Sequence, residues 1–172
     1  MTGPDATANP PLHASAVALG PHGLLILGPS GSGKTRLALE LVALGAELVA
    51  DDRVLLAADG QGGLVMRPPP GLAGLVELRG AGILHHPYRA EAPLWLAADL
   101  AEAPDGRMPE PFRLSLPGGI AIPVLAAAPP LHAAALLAIL RTGALPDPAF
   151  APPTAAPALH AGPAAAAERA HG

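Results

Sequence analysis

Residues 24–35 read LLILGPSGSGKT, an apolar run followed at once by a glycine-rich loop. The loop fits the pattern G-x-x-x-x-G-K-[ST], in which backbone N–H groups wrap a phosphate and the lysine reaches the β- and γ-phosphates. The chain holds nine arginines but one lysine, and that lysine lies in this loop. We predict a strand over residues 24–27 and phosphate binding by the loop residues Gly28, Pro29, Ser30, Gly31, Ser32, Gly33, Lys34 and Thr35.

The residues after the loop predict a helix. Leucines recur at helical spacing over residues 34–44, and Gly45 is placed as the residue that follows the helix. The N-terminus of such a helix adds a favourable dipole for a phosphate. The hydroxyl of Thr35 is the expected Mg²⁺ ligand. The loop and helix together indicate a protein that binds a nucleoside triphosphate with Mg²⁺.

The rest of the pattern is rich in strands. Apolar runs predict strands at 13–19, 47–50, 64–66, 94–98 and 120–125, a hairpin tip at 59–63, and a second helix over 131–142. Strands and helices do not alternate regularly, as they would in a doubly wound parallel fold. We therefore predict an α/β fold with a mixed, partly antiparallel sheet.

Length and composition set the domain organisation. With 172 residues the chain fits one domain, which we place at 12–144. Residues 1–11 and the Ala/Pro-rich residues 145–172 are predicted to be disordered, and 101–111 is an acidic loop. A net charge of −4 argues against nucleic-acid binding, and no apolar run reaches the length of a membrane span. The expected location is the cytoplasm.

Two adjacent acids, Asp51 and Asp52, follow the predicted strand at 47–50. An acid at a strand end beside such a loop is typical of a metal-binding carboxylate. Two acids allow two roles, one holding Mg²⁺ through water and one accepting a proton from an attacking hydroxyl. A solvated pair that begins a turn is the structural alternative, and the sequence leaves open which aspartate takes which role.

Three further residues are candidates. In VELRGAGI, residues 76–83, alternation places Glu77 and Arg79 on one face. Glu77 is a possible metal ligand and Arg79 a group that stabilises charge on a transferring phosphoryl group, although a surface salt bridge explains them equally well. His13, taken alone, is more typical of a structural histidine at a strand start.

Together these residues resemble the catalytic domain of bacterial HPr kinase/phosphorylase, most closely the short form without an extra N-terminal domain. The resemblance rests on His13 ahead of GPSGSGKT, on LVADDRV at 48–54 and on MRPPPGLAGLVELRGAGI at 66–83. It covers about residues 12–88 and extends more loosely to 125. The ADDR and ELRG-x-GI segments are more specific than the loop, which many families share.

The resemblance implies that ATP is the phosphoryl donor and a serine of the phosphocarrier protein HPr the acceptor, in the regulation of carbohydrate metabolism. It assigns proton transfer to His13 and one of the two aspartates, phosphate contact to Lys34, and Mg²⁺ binding to Thr35 and Glu77. It also implies a P-loop core related to phosphoenolpyruvate carboxykinase, assembled as a hexamer.

One segment departs from the family pattern. Residues 125–130 read LAAAPP, where the family has a basic loop with an arginine used in catalysis and in binding HPr. Recognition of HPr and the reverse phosphorolysis therefore stay open. A nucleotide-binding sensor that no longer transfers phosphate is one alternative. A small-molecule kinase is another, but the acidic 101–111 segment and the irregular strand pattern disfavour it.

Overall fold

The computed structural model describes residues 10–103, 112–116, 118–128 and 132–145. Most of the predicted lead-in and tail, residues 1–9 and 146–172, lies outside them, as do residues 104–111 of the predicted acidic loop. The described elements are β1 Ser15–Leu19, β2 His22–Leu27, α1 Lys34–Ala43, β3 Glu47–Ala50, β4 Leu55–Ala58, β5 Leu64–Arg67, β6 Leu75–Leu78, β7 Gly82–His85, β8 Ala92–Asp99, β9 Phe112–Leu116, β10 Ile120–Ala126 and α2 Ala133–Thr142.

The main sheet runs in the order β3-β1-β2-β8-β10-β9. Strand β1 is antiparallel to both β2 and β3, whereas β8 is parallel to β2 and to β10. Strand β5 joins the start of β8 and carries β4, while β6 and β7 form a separate antiparallel hairpin. The predicted α/β fold with a mixed sheet is confirmed.

The sheet is covered on both faces because its central strands are apolar on both sides. In β2, Leu24 and Ile26 point to the face on which both helices pack, and Leu25 points to the other face. Trp95 of β8 is buried on the helix side, and Met66 of β5 on the opposite side. The two helices on one face and the β4–β5 pair on the other thus cover β2, which leads into the glycine-rich loop.

The predicted boundaries differ from the structure in informative places. The strand predicted at 13–19 begins at Ser15, because His13 turns away to contact Asp52. The helix predicted at 34–44 ends at Ala43, and Leu44 caps it. The sequence analysis assigned no strand to 112–116, which forms β9 at the sheet edge with Phe112 exposed. No described helix has the length and hydropathy needed to cross a bilayer.

His22 fastens the second helix to the sheet. Its Nδ1 lies 2.7 Å from the carbonyl oxygen of Leu140, and its ring packs 4.5 Å from that of Trp95. Gly143 ends the helix with φ of 66°, a left-handed conformation that suits glycine. A Cβ at this position would lie 2.8 Å from the His22 ring.

We expect Gly143→Ala to lower the free energy of unfolding by about 2–3 kcal/mol, because the new methyl group meets left-handed strain and the buried His22 ring together. The matched control is Gly60→Ala, since Gly60 has φ of 79° and open space around it. The control should cost about 1 kcal/mol. Chemical denaturation measures both, and equal losses would show that the ring moves aside freely.

Candidate active site

Strand direction brings three segments of the chain to one edge of the sheet. Because β2 and β3 are both antiparallel to β1, they run in the same direction, and their carboxyl ends meet where β1 begins. The glycine-rich loop follows β2, Asp51 and Asp52 follow β3, and His13 precedes β1. Residues that are far apart in sequence therefore surround one position.

The loop is built for close approach to a ligand. Gly28 has φ of 141°, and a Cβ there would lie 2.6 Å from Ser32 Oγ. That hydroxyl is buried and has no hydrogen-bond partner in the described part of the chain. A buried polar atom without a partner is costly. Ser30, Gly31 and Gly33 of the loop line the cavity, and a glycine-rich loop at the start of a helix fits a phosphate group through its backbone N–H groups.

Lys34 is buried behind the loop. Its Nζ donates to the carbonyl oxygens of Gly28 and Pro29, both at 2.9 Å, and lies 3.1 Å from Nε2 of His13. Because an ammonium group only donates, Nε2 is the acceptor and neutral His13 carries its proton on Nδ1. Burial lowers the pKa of Lys34 below its usual 10.5, although Asp52 and Asp51 oppose this shift.

The protonated nitrogen of His13 faces Asp52. Nδ1 lies 3.1 Å from Oδ1 of Asp52 and 3.2 Å from its backbone oxygen. Asp52 adopts φ of 64°, in the left-handed region, and its carboxylate is 62% exposed with Arg53 Nε 3.5 Å away. Lys34, His13 and Asp52 thus form a continuous chain of polar contacts that ends at an accessible carboxylate.

Asp51 lies in a different environment. It is buried and accepts hydrogen bonds from Ser15 Oγ at 2.6 Å and from Thr35 Oγ1, which is 3.0 Å from both carboxylate oxygens. The strand ends at Ala50, so the two acids are free to point in different directions. The sequence analysis missed Ser15, although a lone hydroxyl in the apolar run HASAVAL was a weak signal.

The oxygen atoms of Thr35 and Asp51 are hard donors of the kind that Mg²⁺ prefers. Glu77 lines the same cavity from β6. Among the described residues no group of three or more His, Cys, Asp or Glu side chains could hold a metal ion. Proteins usually bind Mg²⁺ through one or two carboxylates together with phosphate oxygens and water.

One cavity of about 690 Å³ lies beside the glycine-rich loop, α1 and β6, and its lining includes His13, Lys34, Thr35, Asp51, Asp52, Glu77 and Arg79. Glu77 and Arg79 reach it as exposed side chains, and neither forms an ion pair with the other or with any further residue of the described ranges. The salt bridge considered for this pair is therefore absent from the structure. Of the candidate residues, Gly28, Pro29 and Ser32 do not line the cavity, and the carbonyl oxygens of Gly28 and Pro29 instead accept from Lys34.

The fold and this site define an α/β protein with a glycine-rich loop between a strand and a helix. Residues 6–87 match the family described as HPr Serine kinase C-terminal domain. The HPr kinase/phosphorylase of Neisseria meningitidis serogroup C is 43% identical over 101 residues, which is 55% of this chain and 32% of that protein. The HPr kinase/phosphorylase of Shouchella clausii is 49% identical over 63 residues, which is 37% of this chain and 20% of that protein.

A solved structure has the same fold. The Hpr(Ser) kinase/phosphatase from Coxiella burnetii matches with a TM-score of 0.65 and 20% identity, covering 78% of this chain and 90% of that one. The resemblance predicted from the sequence is confirmed, because residues 6–87 match the HPr Serine kinase C-terminal domain family and these relatives are HPr kinase/phosphorylases. The chain spans about a third or less of the length of these curated relatives.

We expect Ser32→Ala to leave the unliganded protein equally stable or up to about 1 kcal/mol more stable, because it removes a buried hydroxyl without a partner. The same change should leave ATP affinity within about threefold, because the hydroxyl is buried and Ser32 does not line the cavity. Thermal denaturation and calorimetric titration measure the two effects. Exposed Ser30 provides the stability control, Ser30→Ala, and destabilisation by Ser32→Ala alone would contradict the argument.

Proposed function

We propose that this chain is a Mg²⁺- and ATP-dependent protein serine kinase of the HPr kinase type. Its acceptor is a serine of HPr, and its role is the regulation of carbohydrate metabolism in the cytoplasm. The observation that carries the proposal is the continuous chain of polar contacts from Lys34 through His13 to Asp52, which lies beside the glycine-rich loop. Residues 12–144 act as the catalytic unit, a P-loop core related to phosphoenolpyruvate carboxykinase and assembled as a hexamer.

A small number of residues bind the phosphates and Mg²⁺. The loop N–H groups bind the phosphates, and Lys34 neutralises their charge. Thr35 and Glu77 hold Mg²⁺, and Asp51 orients the Thr35 hydroxyl through its hydrogen bond. When bound, Mg²⁺ supplies positive charge that favours attack on the terminal phosphoryl group.

The geometry favours Asp52 over Asp51 as the general base. Both oxygens of Asp51 are within hydrogen-bond distance of Thr35, one also accepts from Ser15, and the residue is buried. Asp52 is exposed, so an incoming serine hydroxyl can reach it and give up its proton to the carboxylate.

The remaining two candidates support this transfer. His13 holds the Asp52 carboxylate through Nδ1–H and keeps it oriented toward the cavity. Arg79, on the opposite wall, stabilises negative charge on the phosphoryl group in transit. Serine attack, proton acceptance and charge stabilisation are then assigned to different sides of the same cavity.

Single substitutions distinguish the proposed roles of the two aspartates. We expect Asp52→Asn to lower the rate of phosphoryl transfer by about 10³-fold while ATP affinity stays within about threefold, because only the base is lost. Asp51→Asn should instead weaken Mg²⁺·ATP binding by about tenfold, because the amide lacks the negative charge and one of the two oxygens that contact Thr35. The control is Asp59→Asn, which alters a distant hairpin carboxylate and should change neither quantity. Interchanged effects would reverse the assignment.

The test of the whole proposal is transfer of labelled γ-phosphate from ATP to purified HPr, with and without Mg²⁺. We expect serine labelling that requires Mg²⁺ and disappears in Lys34→Ala, because the phosphates lose their buried cation. ATP binding without labelling of HPr would instead favour a nucleotide-binding sensor that does not transfer phosphate. The absence of a basic residue from the LAAAPP segment at 125–130 is the observation that keeps this second function in view.

A further inference from the structure

One buried hydroxyl group lies beside the site and is not used by the proposed phosphoryl transfer. Ser15 of β1 has no exposed surface, and its Oγ lies 2.6 Å from Oδ1 of Asp51. Because an ionised carboxylate only accepts hydrogen bonds, Ser15 is the donor. Ser15 does not line the cavity, so any effect that it has on a ligand passes through Asp51.

A shift in strand register places Ser15 opposite Asp51. The pairing of β1 with β3 shifts by one residue next to Ala16, which faces Ala50. Continued toward the start of β1, this register sets Ser15 across from Asp51, and the isolated bridge beyond the two acids keeps the same register. The unshifted register would set Ala14 there instead. A β-bulge beside an active site commonly redirects a side chain in this way.

The Asp51 carboxylate is held by two hydroxyl groups from different elements. Thr35 Oγ1, at the start of α1, lies 3.0 Å from both carboxylate oxygens. Equal distances require the carboxylate to keep one orientation toward Thr35, and the hydrogen bond from Ser15 to Oδ1 opposes its rotation. Within the described ranges no third group hydrogen-bonds to this carboxylate. Ser15 is therefore its second anchor.

The orientation of Asp51 matters because a hydroxyl group has a single proton. Thr35 donates that proton to Asp51 and keeps the lone pairs of its oxygen for another ligand. Thr35 also lines the cavity, and a hydroxyl oxygen is a hard donor of the kind that Mg²⁺ accepts. Partners that orient a metal ligand tune its affinity for the metal.

We propose that Ser15 is a positioning residue that sets the Mg²⁺ affinity of the nucleotide site, acting through Asp51 on Thr35. This inference rests on the proposed function, because it takes Thr35 as a Mg²⁺ ligand. Removing a group that contacts a metal ligand directly costs about 10- to 100-fold in metal affinity. Ser15 is one contact further away, so its removal should cost less, about fivefold.

The test measures the Mg²⁺ concentration that gives half-maximal ATP binding, by calorimetric titration of the full chain. We expect Ser15→Ala to raise this concentration about fivefold. ATP affinity without metal should stay within about twofold, because the glycine-rich loop and Lys34 are untouched. Ser15→Thr keeps the hydroxyl group on a residue that suits a strand, and it should restore the original Mg²⁺ requirement.

The matched control, Val17→Ala, separates positioning from packing. Val17 lies two residues along β1 on the same face as Ser15 and is buried in the core on the helix side. Its truncation should lower the midpoint of chemical denaturation at least as much as Ser15→Ala does, because it leaves a cavity. The Mg²⁺ requirement should not change. Equal rises in this requirement for both variants would make Ser15 a packing residue and overturn the inference.

Three other results would also overturn it. An unchanged Mg²⁺ requirement in Ser15→Ala would remove the positioning role, and a lower one would show that Ser15 screens the carboxylate charge instead. A requirement that stays raised in Ser15→Thr would assign the effect to side-chain volume rather than to the hydroxyl group.

The inference and the proposed function can fail separately. If HPr is not labelled but Ser15→Ala raises the Mg²⁺ requirement for ATP binding, the kinase is wrong and the positioning role stands. If HPr is labelled and Ser15→Ala leaves that requirement unchanged, the kinase stands and the positioning role is wrong.

Discussion

The site depends on one constraint, the direction of three neighbouring strands. Strand β1 lies between β2 and β3 and is antiparallel to both, so the ends of β2 and β3 and the start of β1 share an edge. The glycine-rich loop, the paired acids and His13 are brought together by this arrangement alone. Any change in the register of β1 would separate His13 from Lys34, since one residue of slip turns every side chain to the other face.

Adjacent carboxylates acquire different properties from their surroundings. Asp51 is enclosed and bound by two hydroxyl groups, so its charge is held by fixed donors. Asp52 is turned outward by a left-handed backbone and meets only His13 and Arg53 within the described residues. The same residue type, one position apart, is therefore suited to fixing a ligand group in one case and to exchanging a proton in the other.

The local features of this protein were predictable and the long-range ones were not. The start of α1 and the identity of its loop follow from glycine, lysine and leucine positions within a few residues of one another. The pairing of β5 with β8 and the edge strand β9 depend on contacts between distant segments, which no local pattern encodes. For the site, local patterns pointed to residues that line the cavity, such as Lys34, Thr35 and Glu77, but not to Leu39 or Leu78, and the different surroundings of Asp51 and Asp52 required their hydrogen bonds to be seen. Ser15 escaped notice for the same reason.

The backbone of Asp52 has an evolutionary consequence. Its left-handed conformation is one that glycine adopts without strain, and a single-nucleotide change converts an aspartate codon into a glycine codon. Such a change would delete the exposed carboxylate and relax the backbone, while the loop, Lys34 and Asp51 remain in place. With Asp52 as the base of the proposed kinase, a lineage could in this way drift from enzyme to pseudoenzyme without passing through an unstable intermediate, and purifying selection at this codon would record whether it has done so.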